Sequence, residues 1–424
     1  MKKKLLFKAP VLTRSGYGEQ ARFALRALRT REDIFDIHVH PLKWGNTSWV
    51  TEESEERKWI DQTIEKAIYH AQAGGRYDIS VQVTIPNEWE NIAPVNIGYT
   101  AGIETTKVAP PWLEKGNMMD KIIVVSNHSK NVYKNTSYEA QHNNRSAIPG
   151  QTFEYKLQTD IDAVNYPVKQ YTDLPDLDLE LPYDFNFICM AQLGPRKNVF
   201  NTVNWFVEEF HDDEVGLVLK TNMAKNCLMD RELVHHKIAS SLNERYPERK
   251  CKVFVLHGDM SDEEIHAIYK HPKIKAAVLL THGEGFGLPL FEAAYSGIPV
   301  VATGWSGQLD FLCGEDRKDR FYNVSFDLQH VPQQVVWQDV IIAQSMWAYP
   351  REDSAKSLMR QCYDDLNNNT PDTHATNAKK YAEELRERFE EQKMYKEFVD
   401  AMGINEEEFN VESWLDSLDI QEIG

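Results

Sequence analysis

The chain has 424 residues, 42% of them hydrophobic and 11% aromatic, which is too long for one ordinary core and suits two domains with a short extension. No apolar run approaches the roughly 18 to 20 residues that span a bilayer, and five scattered cysteines with no CxxC pair argue for a reducing, cytoplasmic compartment and against structural zinc. The net charge of −18 disfavours nucleic acid and anionic membrane, but residues 383–424 hold 14 acidic and 4 basic side chains, which leaves the rest at −8 and keeps a local basic groove possible.

In chain order, MKKKLLFKAPVL imitates a secretory leader, but Lys8 interrupts its apolar run and Arg14 follows, so it reads as a buried first strand, Lys4 to Ala9. A loop, Thr13 to Gly18, carries a GxG, and a helix from about Glu19 to Arg29 follows. The GxG is only a fragment of a phosphate cradle, because Ala21 and Arg22 stand where the third glycine of GxGxxG would be. Arg22, Arg26 and Arg29 recur at helical spacing and read as a solvated face. Strands are expected at Phe35 to His40, Asp78 to Val83, Asn96 to Thr100 and Lys121 to Ser126, with a helix within residues 51–73 opened by Thr51 and early glutamates. This alternation predicts a doubly wound parallel sheet.

Residues 165–184 hold three prolines and few core residues, the best linker in the chain. Asp176-Leu177-Asp178 and Asp160-Ile161-Asp162 imitate a metal-binding DxD, but neither follows a strand into a glycine turn, so both read as linker acids. A second sheet is expected from Phe185 to Gln192, Val215 to Lys220, Lys252 to Leu256, Ala277 to Thr281 and Ile298 to Thr303, with Ser261 capping a helix and Glu264 in the capping-box position. Residues 375–401 form a long charged helical pattern, and Trp414, Leu415 and Leu418 lie in an acidic tail.

The most informative stretch is Thr281 to Gly304, THGEGFGLPLFEAAYSGIPVVATG. It reads as strand, glycine turn, helix, strand. Glycines at such a turn let a ligand approach the backbone, and the helix start favours negative charge. Glu284 lies in the turn and Glu292 eight residues later, so both can face one cleft, where acceptor-only carboxylates suit a polyol.

The string EGFGLPLFEAAYSGIPVVAT resembles the donor-site signature of the retaining family 4 glycosyltransferases. The resemblance implies an α/β GT-B fold, with two Rossmann-like doubly wound domains facing across an interdomain cleft. It implies an acceptor-side domain at 1–182, a donor domain at 183–370, and helices and tail at 371–424 that cross back to the first domain. The donor would be a nucleotide-diphosphate-sugar, the partner a hydroxyl acceptor, and no metal would be required. Glu284 matches the residue that holds donor sugar hydroxyls and Glu292 the one that binds ribose. Arg196 and Lys197 match cations that neutralise the leaving diphosphate. Gly285, Phe286, Gly287 and Leu288 would supply backbone near sugar and phosphates, and Gly16 and Gly18 would approach from the opposite side.

Two departures stand out. Ala191-Gln192-Leu193 replaces the family's GRL triplet, so its arginine is missing and Arg196 is the substitute at hand. Tyr99 to Glu104 has no histidine, which leaves Tyr17, Thr100 and Glu104 as the polar groups able to meet acceptor or sugar, while His128 reads as a loop histidine with a satisfied hydrogen bond. The acceptor is open among glycan, protein, small molecule and a hydroxymethylated DNA base. A GT-B epimerase or phosphorylase and an inactive GT-B scaffold are the rival readings, although no pyridoxal-binding signature is present.

Overall fold

The computed structural model describes residues 2–45, 47–141 and 152–404; Trp414, Leu415 and Leu418 lie outside them. The first half runs β1 (Lys3–Ala9), α1 (Gly16–Arg29), β2 (Phe35–Pro41), α2 (Glu55–Gln72), β3 (Ile79–Val83), β4 (Val95–Thr100), α3 (Pro110–Gly116), β5 (Lys121–Val124), α4 (Asn127–Asn135), the antiparallel pair β6 (Ser137–Gln141) and β7 (Thr152–Lys156), and β8 (Ile161–Ala163). Its parallel sheet has the order β2-β1-β3-β4-β5-β8. β1 and β5 centre on short apolar runs, Leu5–Phe7 and Ile122–Val124, whereas β2 alternates polar and apolar residues and β3 and β4 bury Ser80, Gln82 and Asn96.

The second half runs β9 (Asn186–Met190), α5 (Val199–Glu209), β10 (Gly216–Lys220), α6 (Leu228–Arg245), β11 (Lys252–Leu256), α7 (Asp262–Lys270), β12 (Ile274–Leu279), α8 (Leu288–Ser296), β13 (Val300–Thr303), α9 (Leu309–Leu312) and β14 (Tyr322–Val324). It continues through an antiparallel hairpin, β15 (Phe326–His330) and β16 (Met346–Pro350), to α10 (Glu352–Asn367), α11 (His374–Arg388) and α12 (Glu391–Ala401). Its parallel sheet has the order β11-β10-β9-β12-β13-β14, the dinucleotide-binding arrangement, whereas the first sheet begins 2-1-3-4-5 like a flavodoxin. Both reverse direction beside their first strand, and the loops leaving those switch points face each other.

Several local expectations need correction. Helix α1 begins at Gly16, because Ser15 Oγ accepts from Gly18 N at 3.0 Å, a cap of about 1 kcal/mol. Arg22 is buried and donates to the carbonyls of Val11 at 2.9 Å and Thr13 at 3.0 Å, so it braces the β1–α1 loop and does not belong to a solvated face. Arg26 donates to Glu56 Oε2 at 2.8 Å on α2. The cap of α2 is Ser54, not Thr51. Asp160 and Asp162 lie at β8, where they pair with Lys121 and Lys130, and are not in the linker. The charged pattern at 375–401 is two helices, broken at Phe389 and Glu390. The capping box of Ser261 and Glu264 is present on α7.

Two connections tie the halves together. Helix α12 packs on α1, with Phe398 against Phe23 and Tyr99 at ring separations of 5.7 and 5.1 Å. The β15–β16 hairpin, which the sequence did not disclose, reaches the first half: Thr106 N donates to Met346 O and Met346 N to Thr106 Oγ1, both at 2.9 Å. Val340 in the intervening loop joins an apolar cluster with Trp89, Trp112 and Tyr133.

Candidate functional site

The facing loops enclose a cleft of about 810 Å³, within the usual range for a ligand site. The loop after β9 forms a tight turn, Pro195–Lys197, that ends on Asn198 at φ 52°, a left-handed conformation that asparagine tolerates. Asn198 Nδ2 donates to Leu280 O at 3.0 Å and His282 N donates to Arg196 O at 2.9 Å, so this turn is fixed to the loop after β12. Arg196 and Lys197 therefore meet Glu284. Lys197 Nζ lies 2.7 and 2.9 Å from the two carboxylate oxygens, and Arg196 approaches Oε2 at 3.1 Å while donating to Gly283 O at 2.7 Å. Glu104, from the first half, lies 3.4 Å from the same guanidinium.

Glu284 is 5% exposed, and burial alone would push its carboxyl up. The adjacent Lys197 and Arg196 outweigh that and hold it below the ordinary glutamate value. Arg196 is held more firmly protonated by Glu104 and Glu284 despite burial. Lys197 is depressed, because burial and the neighbouring guanidinium oppose the single carboxylate it shares. The result is a compact cluster of two cations and two carboxylates, with Arg196 shared between Glu104 and Glu284.

Residues overlooked in the sequence hold Glu284 in place. Ser306, at φ 79°, accepts from Glu284 N at 2.8 Å and donates to Gln308 Oε1 at 2.8 Å, while Gln308 Nε2 donates to Thr303 O at 3.0 Å. His282 Nδ1 donates to Ala348 O at 2.7 Å, and its ring stacks on Trp347 of the hairpin at 4.8 Å. Nothing in the sequence around Trp305, Ser306 and Gly307 marks this role, because the positive φ of Ser306 exists only in the folded chain.

Gly283 and Gly285 have a different role from the one expected. A Cβ on either would sit 2.3 Å from a backbone oxygen, Glu104 O and Ala101 O respectively, so they let the two halves meet. Gly287 opens α8 at φ 100°, where only glycine is comfortable. Gly285, Phe286, Gly287 and Leu288 all line the cleft, but the Phe286 side chain packs on Tyr166 and Phe311 and leaves only backbone to offer.

From the first half, Gly16, Tyr17 and Glu104 line the cleft. Gly18 does not: it is buried, and a Cβ there would lie 1.9 Å from Thr13 O. Thr100 is buried behind Tyr17, whose hydroxyl lies 2.8 Å from Thr100 Oγ1. Gln192 reaches the cleft and donates to Met223 O at 2.6 Å. His128 is in the first turn of α4, with its ring edge-on to Trp305 at 4.9 Å and its buried Nε2 without a partner among the described residues. It is a helix residue and not a loop one.

Glu292 does not share the lining of that cleft. It faces a narrower compartment with Lys169, Tyr171, Asp262 and Tyr295, and its Oε2 lies 3.5 Å from Tyr269 OH. Burial, only partly opposed by Lys169, pushes its carboxyl up to about 8. Lys169, from the linker, lies 2.8 Å from both Glu19 and Asp262 and so bridges the two halves. Asp230 orders another wall: it accepts from the amides of Met223, Ala224 and Lys225 at 2.9, 2.8 and 3.1 Å, with His257 Nε2 at 2.8 Å. Among the described residues, no group of three or more His, Cys, Asp or Glu side chains is arranged to hold a metal, and no helix is long and apolar enough to cross a membrane.

The model of a family described as glycosyl transferases group 1 matches residues 245–318, which include Glu284 and Glu292. A serotype-specific mannosyltransferase, WbdA of Escherichia coli, is 32% identical over 119 residues, 27% of this chain. The matched stretch spans only 13% of that relative. Among solved structures, Anabaena Alr3699/HepE in complex with UDP and glucose aligns with a TM-score of 0.55 and 12% identity, covering 95% of this chain and 99% of that one. The sucrose-phosphate synthase of Thermosynechococcus elongatus aligns with a TM-score of 0.57 and 12% identity, covering 94% and 98%. The chain thus has the GT-B fold of these glycosyltransferase structures, and its second half carries a glycosyl transferases group 1 segment.

Proposed function

We propose that the protein is a retaining glycosyltransferase of the family 4 type, moving a sugar from a nucleoside diphosphate to an acceptor hydroxyl without a metal. The observation that carries this reading is Glu284 bracketed by Lys197 and Arg196 at the switch point of the second sheet. The bond between the sugar's anomeric carbon and the diphosphate oxygen breaks, and its electron pair leaves with the diphosphate. Arg196 and Lys197 neutralise the charge that develops there, in a cleft whose walls limit solvent and strengthen the effect. The acceptor hydroxyl attacks the same face, and its proton passes to the departing phosphate oxygen. Glu284 accepts hydrogen bonds from the donor sugar and holds the anomeric carbon in place for attack on the face the diphosphate leaves. Five free cysteines support a reducing, cytoplasmic compartment as part of this reading.

A panel of UDP-, GDP-, ADP- and CMP-sugars, read first by thermal shift and then by nucleotide release, tests the reading. One donor is expected to raise the melting temperature and to be hydrolysed or transferred. Glu284→Ala is expected to lower that turnover by about 100-fold or more; undiminished turnover would overturn the assignment.

A further inference from the structure

We infer that the first-half wall of the cleft is a pyranose-stacking subsite built on Trp44 and Tyr17, so that the acceptor hydroxyl belongs to a glycan; this rests on the glycosyltransferase reading. Trp44 follows β2, and Tyr17 stands in the first turn of α1. Their rings are 4.1 Å apart and inclined at 39°. Both are half-buried and both line the cleft that contains Glu284, Arg196 and Lys197. Such a ring pair left open to a polar cleft suits a ligand that is apolar on one face and hydroxylated around its rim, as a pyranose is.

The surroundings complete the match. Tyr17 is anchored through its hydroxyl to Thr100 Oγ1 at 2.8 Å, so its ring is fixed without a ligand. Thr47 and Ser48, from the loop that presents Trp44, add hydroxyls to the same wall, and Glu104 adds a carboxylate facing Arg196. These groups exchange hydrogen bonds with sugar hydroxyls. The donor sugar is assigned to Glu284 on the second half, so a sugar on Trp44 is a second one, across the cleft.

Charge separates this occupant from the other class that stacks on aromatic rings, a nucleobase in a DNA strand. A strand requires cations free to meet its phosphates. On the first-half wall, where this occupant sits, the lining cation is Arg14, already paired with Glu52 and with Met260 O at 3.0 Å, while Arg196 and Lys197 lie on the opposite wall and are assigned to the donor diphosphate. The first-half wall adds the carboxylates of Glu19 and Glu104.

The test is saturation-transfer NMR on the intact protein with the methyl α-pyranosides of mannose, glucose, galactose and N-acetylglucosamine. At least one is expected to receive saturation on its axial ring protons. Trp44→Ala should weaken that glycoside about tenfold, while Trp44→Phe, which keeps a ring, should stay within about threefold. Equal melting temperatures of the two variants would exclude a folding defect as the cause. Saturation of none of the four, an undiminished affinity in Trp44→Ala, or tighter binding of a hydroxymethylcytosine oligonucleotide would each overturn the subsite. Nucleotide release by the wild type separates the two readings. Turnover without Trp44-dependent glycoside binding would end this inference alone, and Trp44-dependent binding without turnover of any donor would end the transferase reading and leave a sugar site.

Discussion

Glu284 and Glu292 leave the same strand–turn–helix, eight residues apart, yet the structure gives them opposite electrostatics. Glu284 is surrounded by Lys197 and Arg196 and stays ionised; Glu292 is surrounded by tyrosines with one shared lysine, and burial raises it to about 8. Burial is common to both. What differs is whether the turn after β9, fixed by Asn198, brings cations into contact. A carboxylate's state in this fold is thus set by the loop opposite it, not by its own helix.

The largest expected effect breaks the first member of the pair. Glu284→Gln leaves Arg196 and Lys197 facing each other with 28% and 17% of their side chains exposed, and with Glu104, 3.4 Å from Arg196, as the remaining carboxylate beside them. Urea unfolding at neutral pH should show a loss of about 3 kcal/mol, the lower end for uncompensating a buried charge. The double variant Glu284→Gln, Lys197→Met should recover part of it, whereas additive losses would contradict coupling.

Asp230 is a third solution, a carboxylate stabilised by three backbone amides and His257, and held down to about 2. Asp230→Asn leaves one side-chain oxygen to accept where two did, and should cost about 2 kcal/mol. Because Met223 and Ala224 line the cleft, the donor KM should rise several-fold with little change in kcat, and unchanged kinetics would remove Asp230 from the site's support.

Much of this was legible in the sequence, and the residues show why the rest was not. The second-half strands β9, β10 and β12 are largely apolar runs bounded by turns, and Glu284, Arg196 and Lys197 stand in short motifs whose chemistry is local. Lys169 sits in a proline-rich linker with no pattern around it, and only the apposition of Glu19 and Asp262 gives it meaning. Gly283 and Gly285 read as room for a ligand because the partner backbone at Ala101 and Glu104 is some 180 residues distant. Glu292 was placed in the main cleft by helical spacing alone, which fixes a face of α8 but not which loop meets it.

A pH series on Glu292→Gln sharpens the comparison. With its folded value near 8 against an ordinary 4.5, the folded protein keeps a proton that the unfolded chain releases between those values. Wild-type stability therefore carries a contribution that is complete below about pH 4.5 and lost as pH rises toward 8. The glutamine variant lacks that loss, so its melting temperature should rise relative to wild type between about pH 5 and pH 8. Glu284 has the opposite sign: its lowered value contributes stability above 4.5 that disappears on acidification. A flat difference for Glu292→Gln would place its ordinary value inside the folded protein.

The smallest effect tests whether the two sites are braced separately. The hairpin holds the Glu284 turn through Ala348 N donating to His282 O at 2.9 Å, and is itself tied to the first half by the reciprocal Thr106–Met346 bonds. Glu292 touches none of these residues. Thr106→Val removes the acceptor of one of the two bonds at a half-buried position, for about 0.5 to 1 kcal/mol. Hydrogen exchange should quicken at the amides of Met346, Ala348 and Glu284 and stay unchanged at Glu292 and its helix. If protection fell equally around both glutamates, the halves would open as one unit, and the difference between the two carboxylates would lie in their charge partners alone.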